Sequence, residues 1–335
     1  MTSAFHVYFG PEARAATPQV RRITADDCLS ALKEGLDDFM AMPTYPVFVG
    51  LFYAVAGIAL FAMTSFGNAL HLAFPLAAGF ALIGPFVAIG LYEMSRRRER
   101  GLAVRGRDAL TVVRSPALPS ILAFGLLLLA IFAAWIFAAE LIYMWLYGPN
   151  PPVAATSFLH DVLSTGRGWT LIAVGVLVGF CFAALALAIS VVSFPLMLDR
   201  DVGLVPALEA SWRVTQANPF AVALWGLIVA AALVLGSLPL FFGLAIVMPV
   251  LGHATWRLYR KAIERDPALE LPIEGPLNPD VTKNPALRLL WTFLDALDFL
   301  EGKDARPSTQ GSTDGEEVGR QGAAAASASL HQGSP

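Results

Sequence analysis

The chain has 335 residues, 56% of them apolar and only 15% charged, with a formal net charge of -3 and a mean hydropathy of +0.61. Soluble domains carry about 25% charged residues, so the composition argues against a soluble fold, and no basic, aromatic-studded surface suggests nucleic-acid binding. There is no Lys, Arg, Asp or Glu between Val47 and Tyr92, and none between Phe220 and Trp256.

Residues 1–22 read as a flexible segment. They lack a basic start followed directly by an apolar run, so no cleaved signal peptide is expected. Thr24-Ala25-Asp26-Asp27 resembles an N-cap box. Leu29, Leu32, Leu36, Phe39 and Met40 then follow on one face of a helix. Such a helix suits the plane of the membrane interface, or else a partner's soluble surface.

A bilayer core of roughly 30 Å takes about 20 helical residues to cross. Six stretches qualify, at 47–66, 72–92, 120–146, 169–197, 219–238 and 240–258, with Gly236, Ser237 and Pro239 marking the last turn. Arg96, Arg97, Arg98, Arg100, Arg105, Arg107 and Arg114 follow the second stretch. Arg200 and Arg213 follow the fourth, and Arg257, Arg260, Lys261 and Arg265 follow the sixth. Positive charge marks the cytoplasmic side, which predicts that both termini are cytoplasmic. Tyr143, Trp145, Tyr147 and Trp169 then belong to an outer aromatic belt.

The expected fold is therefore all-α: a polytopic membrane protein whose six spans form three tandem hairpins, with short amphipathic interfacial helices. Ala31-Leu32, Ala109-Leu110 and Ala207-Leu208 each open a segment leading to a proline before an odd span. Pro85, Pro195 and Pro249 fall in the cytoplasmic halves of the even spans, where a proline kinks a helix. The repeats run at about 29–95, 103–200 and 204–262 within a membrane domain of 23–265. A Pro-rich linker and an amphipathic helix occupy 266–301. Trp291, Phe293, Leu294 and Leu297 crowd that helix, which suits docking on the membrane domain or on a partner. Residues 302–335 have the composition of a disordered tail.

No phosphate-binding loop, paired-histidine zinc helix or nucleophile elbow appears, so no catalytic, cofactor or metal-binding residue is assigned. Cys28 and Cys181 are placed too far apart for a disulfide to be expected. Two ionisable residues inside spans are functional candidates, Glu140 in the third and His253 in the sixth. Each also has an ordinary reading, as an interfacial carboxylate and as a histidine bonded to a neighbouring helix. Glu93, beside Arg96 and Arg97, reads as a local ion pair. Gly175 and Gly179 have a spacing that permits close helix approach, within one chain or between two.

The order Gly84-Pro85, Gly90-Leu91-Tyr92-Glu93, then Ala207-Leu208 through Ser211-Trp212 to Asn218-Pro219, then Pro249 through Gly252-His253-Ala254-Thr255-Trp256 to Tyr259, resembles a bacterial family of uncharacterised integral membrane proteins, the domain of unknown function 2189. The resemblance covers about residues 20–265 and implies an inner-membrane protein without established catalytic residues. Some members carry a cytochrome oxidase label. Of the five histidines here only His253 falls in a span, which speaks against a haem-binding subunit.

Three classes of function stay open. The first is a non-enzymatic scaffold or assembly factor, including an accessory protein of a respiratory complex. The second is a carrier or channel for a small apolar or amphiphilic molecule, running along the repeat axis. The third is a membrane-embedded enzyme, for which only Glu140 and His253 offer chemistry. The partners expected are the lipid bilayer and other membrane proteins.

Overall fold

The computed structural model describes residues 18–42, 57–58, 62, 75–76, 88–149, 155–200, 202–239, 241–273 and 275. Most of the first and second expected spans with Pro85, the first residues to 17, the amphipathic helix after 285 and the tail lie outside the described residues.

Nine α-helices run through these residues: α1 (Ala25–Ala41), α2 (Ile89–Glu99), α3 (Leu118–Tyr147), α4 (Ala155–Ser164), α5 (Gly166–Ser190), α6 (Ser193–Asp199), α7 (Leu204–Ala217), α8 (Pro219–Ser237) and α9 (Leu244–Ala262). A 3-10 helix at Gly106–Arg114 leads into α3. Thr24 caps α1 reciprocally: its Oγ1 accepts from the Asp27 N–H at 3.3 Å, and Asp27 Oδ2 accepts from the Thr24 N–H at 2.8 Å. Pro219 opens α8 at its first position, where a missing N–H costs nothing.

Three helices are long and apolar enough to cross a membrane among the described residues: Leu118–Tyr147, the α5–α6 unit Gly166–Asp199, and Pro219–Ser237. They match the third, fourth and fifth expected spans and turn large apolar side chains outward, among them Leu126, Phe137, Phe180, Leu227 and Leu235. The expected six spans in three hairpins are corrected on this count. The sixth expected stretch, 240–258, forms instead the helix Leu244–Ala262, set four residues further along. That shift takes Arg260 and Lys261 into the helix beside Arg257, and its second half packs into the protein rather than facing lipid. The end of the second stretch behaves alike: α2 starts at Ile89 and carries Glu93 and Arg96–Arg98, most of them buried. Apolar runs flanked by charge look like spans whether lipid or protein covers the charge.

α9 packs chiefly on α1. The contact is close. A Cβ on Gly35 would sit 2.5 Å from the Ala254 backbone nitrogen. Small residues of α1, Cys28, Ala31 and Gly35, face α9 and α8, while Leu29, Leu36 and Met40 point outward. The core gathers where these helices meet α6 and α7. Phe124 lies 4.5 Å from Phe194 between ring centroids, and Trp225, Trp256, Tyr92 and Tyr259 are buried around them.

Candidate functional site

Beside that core lies a layer of buried charge, built by α1, α2, α6, α9 and the segment after α9. Desolvating a charge costs several kcal/mol, so each such group needs partners.

Asp38 of α1 is fully buried. Arg257 of α9 grips it with both arms, Nε donating to Oδ2 at 2.9 Å and Nη2 to Oδ1 at 2.7 Å. Arg98 donates to Oδ1 as well, and the Ser95 hydroxyl donates to Oδ2 at 2.8 Å. Burial alone would raise the Asp38 pKa, but Arg257, with help from Ser95, holds it below the usual carboxylate value.

His253 completes this cluster, with Nδ1 at 2.8 Å from the Ser95 oxygen. Ser95 gives its single proton to Asp38, so Nδ1 carries the hydrogen and donates to Ser95. Nε2 is buried without a hydrogen bond among the described residues. Burial pushes the His253 pKa down to about 4, against the pull of Asp38, and the ring is neutral at neutral pH. The serine stands between acid and base and faces away from solvent. That is a relay of structural bonds rather than a nucleophile with its general base.

Asp199, at the end of α6, anchors a second cluster. Arg260 donates to it at 2.8 and 3.2 Å, the Tyr259 hydroxyl at 2.8 Å, and Arg96 stands 3.4 Å away. Burial and the adjacent Asp199 charge raise the Tyr259 pKa well above its ordinary value, so the phenol keeps the proton it donates. Glu99 accepts from both Arg260 and the Trp256 indole at 2.9 Å. The Arg260 guanidinium also lies 4.8 Å from the Trp256 ring centroid.

The local ion pair read from the sequence forms a third cluster. Glu93 meets Arg96 at 3.2 Å and Arg97 at 2.8 Å, and Arg97 also donates to Thr111 at 3.0 Å. The chain after α9 then crosses the layer. The Leu271 N–H donates to the Asp199 carbonyl at 2.7 Å, and Glu270 pairs with Arg100 at 2.9 Å and Arg265 at 2.7 Å. A shallow cleft beside it, lined by Glu93, Arg96, Thr111, Ser115 and Leu271, has a volume of about 10 Å³, room for one water molecule.

The two ionisable candidates are not brought together. His253 belongs to the layer. Glu140 is half-buried on α3, about 33 Å along the helix from Leu118 at 1.5 Å per residue. Pro249 lies inside α9, and Pro195 in the first turn of α6, directly after the break at Val191–Val192. Sequence reasoning passed over Asp38, Ser95 and Asp199, which hold the layer together. Asp38 is one of five acids in α1, and nothing in its spacing separates it from the exposed Asp37. Among the described residues no three His, Cys, Asp or Glu side chains converge as a metal-ligand set.

Three long lipid-ready helices beside a layer of ion-paired charge describe a membrane protein, and one comparison agrees. Residues 73–199 match the family model described as predicted integral membrane protein (DUF2189). The match runs from the second expected span through α6 and so takes in α2, with Glu93, Ser95 and Arg96, and ends at Asp199. Asp38, His253, Arg257 and Arg260, the partners of those residues, lie outside it. The chain is thus a multi-pass integral membrane protein similar to DUF2189 over well under half its length, a narrower likeness than the resemblance at 20–265 suggests. No curated protein and no solved structure matches it.

Proposed function

We propose that this protein is a non-enzymatic scaffold or accessory factor of a bacterial inner membrane, with the arginine-rich layer on the cytoplasmic side. The observation that carries the reading is the pairing of the layer's acids. Asp38, Asp199 and Glu93 are each engaged by arginines of the same chain, and the cleft beside Glu93 admits about one water molecule. Charge spent on holding helices together supports a role in structure rather than turnover. The outward stripe of α1, with Leu29 and Met40 54% and 69% exposed, supports contact with lipid or another membrane protein.

Sidedness rests on the arginines, since positive charge is retained in the cytoplasm. The two ends of the described chain go with them. Val20 pairs with Ile263, and the Arg21 N–H donates to the Ala262 carbonyl at 2.8 Å.

Purification in mild detergent, combined with a photo-crosslinker at Leu36, tests the proposal. A scaffold yields one recurrent membrane-protein adduct at stoichiometric level, and Leu36→Glu removes it. A chain that emerges alone and monomeric, with adducts to lipid only, counts against it.

A further inference from the structure

The sequence shows no element between the third and fourth expected spans, yet α4 (Ala155–Ser164) stands there, between α3 and α5. Both neighbours are long enough to cross the bilayer. Their connection therefore lies at the membrane face opposite the end of α3 that enters the charged layer.

The surroundings of α4 divide its surface into three. One sector is packed on the protein. The Phe158 ring meets those of Tyr143 and Tyr147 at centroid distances of 6.1 and 6.0 Å, and Asp161 pairs with Arg167 at 3.4 Å. Val162 approaches so closely that a Cβ on Gly168 would lie 2.2 Å from its carbonyl oxygen. A second sector is apolar and uncovered, with Leu159 and Leu163 55% and 61% exposed. The third is polar and exposed, formed by Ser157, His160 and Ser164. At about 100° of rotation per residue, the leucine sector and the polar sector are separated by roughly a right angle.

We propose that α4 is an interfacial anchor that lies flat in the leaflet distal to the charged layer. Leu159 and Leu163 enter the boundary between headgroups and acyl chains, and His160 and Ser164 face water. The occupant of the apolar sector is lipid. Exposed Trp145 and Trp169 stand at the ends of α3 and α5 that α4 connects, where indoles prefer the headgroup level. A helix wet on one side and apolar on the next is what an interface selects. The Asp161–Arg167 pair is internally balanced, so the anchor is indifferent to headgroup charge.

Nitroxide labels at Leu163→Cys and, separately, His160→Cys test this in vesicles of a zwitterionic phospholipid. The background is Cys181→Ala, a change at an exposed site, and buried Cys28 remains. The label at 163 is expected to collide several-fold more with oxygen than with a hydrophilic nickel chelate, and the label at 160 to show the reverse. Addition of anionic lipid leaves both unchanged. If both labels favour the chelate, α4 stands in water and the proposal fails. If the 163 label is shielded from both reagents, protein covers the sector and the proposal fails equally.

Discussion

Asp38 ties three helices together, because α1, α2 and α9 meet on its two oxygens. Replacing it by Asn keeps the shape and removes the charge that Arg257 and Arg98 neutralise. Breaking a buried pair on one side costs about 3–5 kcal/mol. We therefore expect Asp38→Asn to lower the thermal midpoint in detergent strongly. The double variant Asp38→Leu with Arg257→Met should recover part of the loss, since a buried pair can be exchanged for apolar packing. His253 supplies a pH dependence whose sign follows from its surroundings. Its pKa falls from 6.5 to about 4 on folding, so the unfolded chain binds the extra proton first. Its share of stability is complete above pH 6.5 and is lost as pH falls towards 4. The loss is on the order of 3 kcal/mol, and His253→Gln should flatten the stability profile over that range.

Among the elements, the α1–α9 contact decides the packing, and it depends on the absence of a side chain at Gly35. A methyl group there would press on the Ala254 backbone, which cannot swing aside as a side-chain tip can. Gly35→Ala should cost about 1–3 kcal/mol, and Gly35→Leu should part the helices. Thermal unfolding measures the first, and loss of a disulfide engineered across the interface reports the second. Element type was largely legible in the sequence. The Thr24 box, the proline at the start of α8 and the long apolar runs of α3, α5 and α8 each act locally, through caps, missing donors and uniform hydropathy. What covers an element was not legible. Hydropathy gave the sixth stretch the look of a span, because its charges, Arg257, Arg260 and Lys261, fall only at or just beyond its expected end. Their acidic partners lie far away in sequence, at Asp38, Glu99, Asp199 and Glu34. Pairing of that kind appears only once the chain is folded. The short α4 was missed for another reason: ten residues with mixed polarity make no periodic signal strong enough to stand out between two spans.

At the scale of the molecule, the account divides the protein between two environments. Lipid solvates the outward faces of α3, α5 and α8, and protein solvates the charge of α1, α2 and α9. Each needs the other, since helices that end on unpaired arginines would not stay packed, and an ion-paired layer alone would not hold a chain in a bilayer. The exposed thiol of Cys181 tests the lipid half directly, because it sits about 22 Å along α5 from Gly166, well within a hydrocarbon layer of roughly 30 Å. A fluorophore attached there, in the reconstituted protein, should be quenched by phospholipids carrying a nitroxide on the acyl chain and should ignore iodide in the buffer. Quenching by iodide with indifference to the labelled lipid would contradict the account.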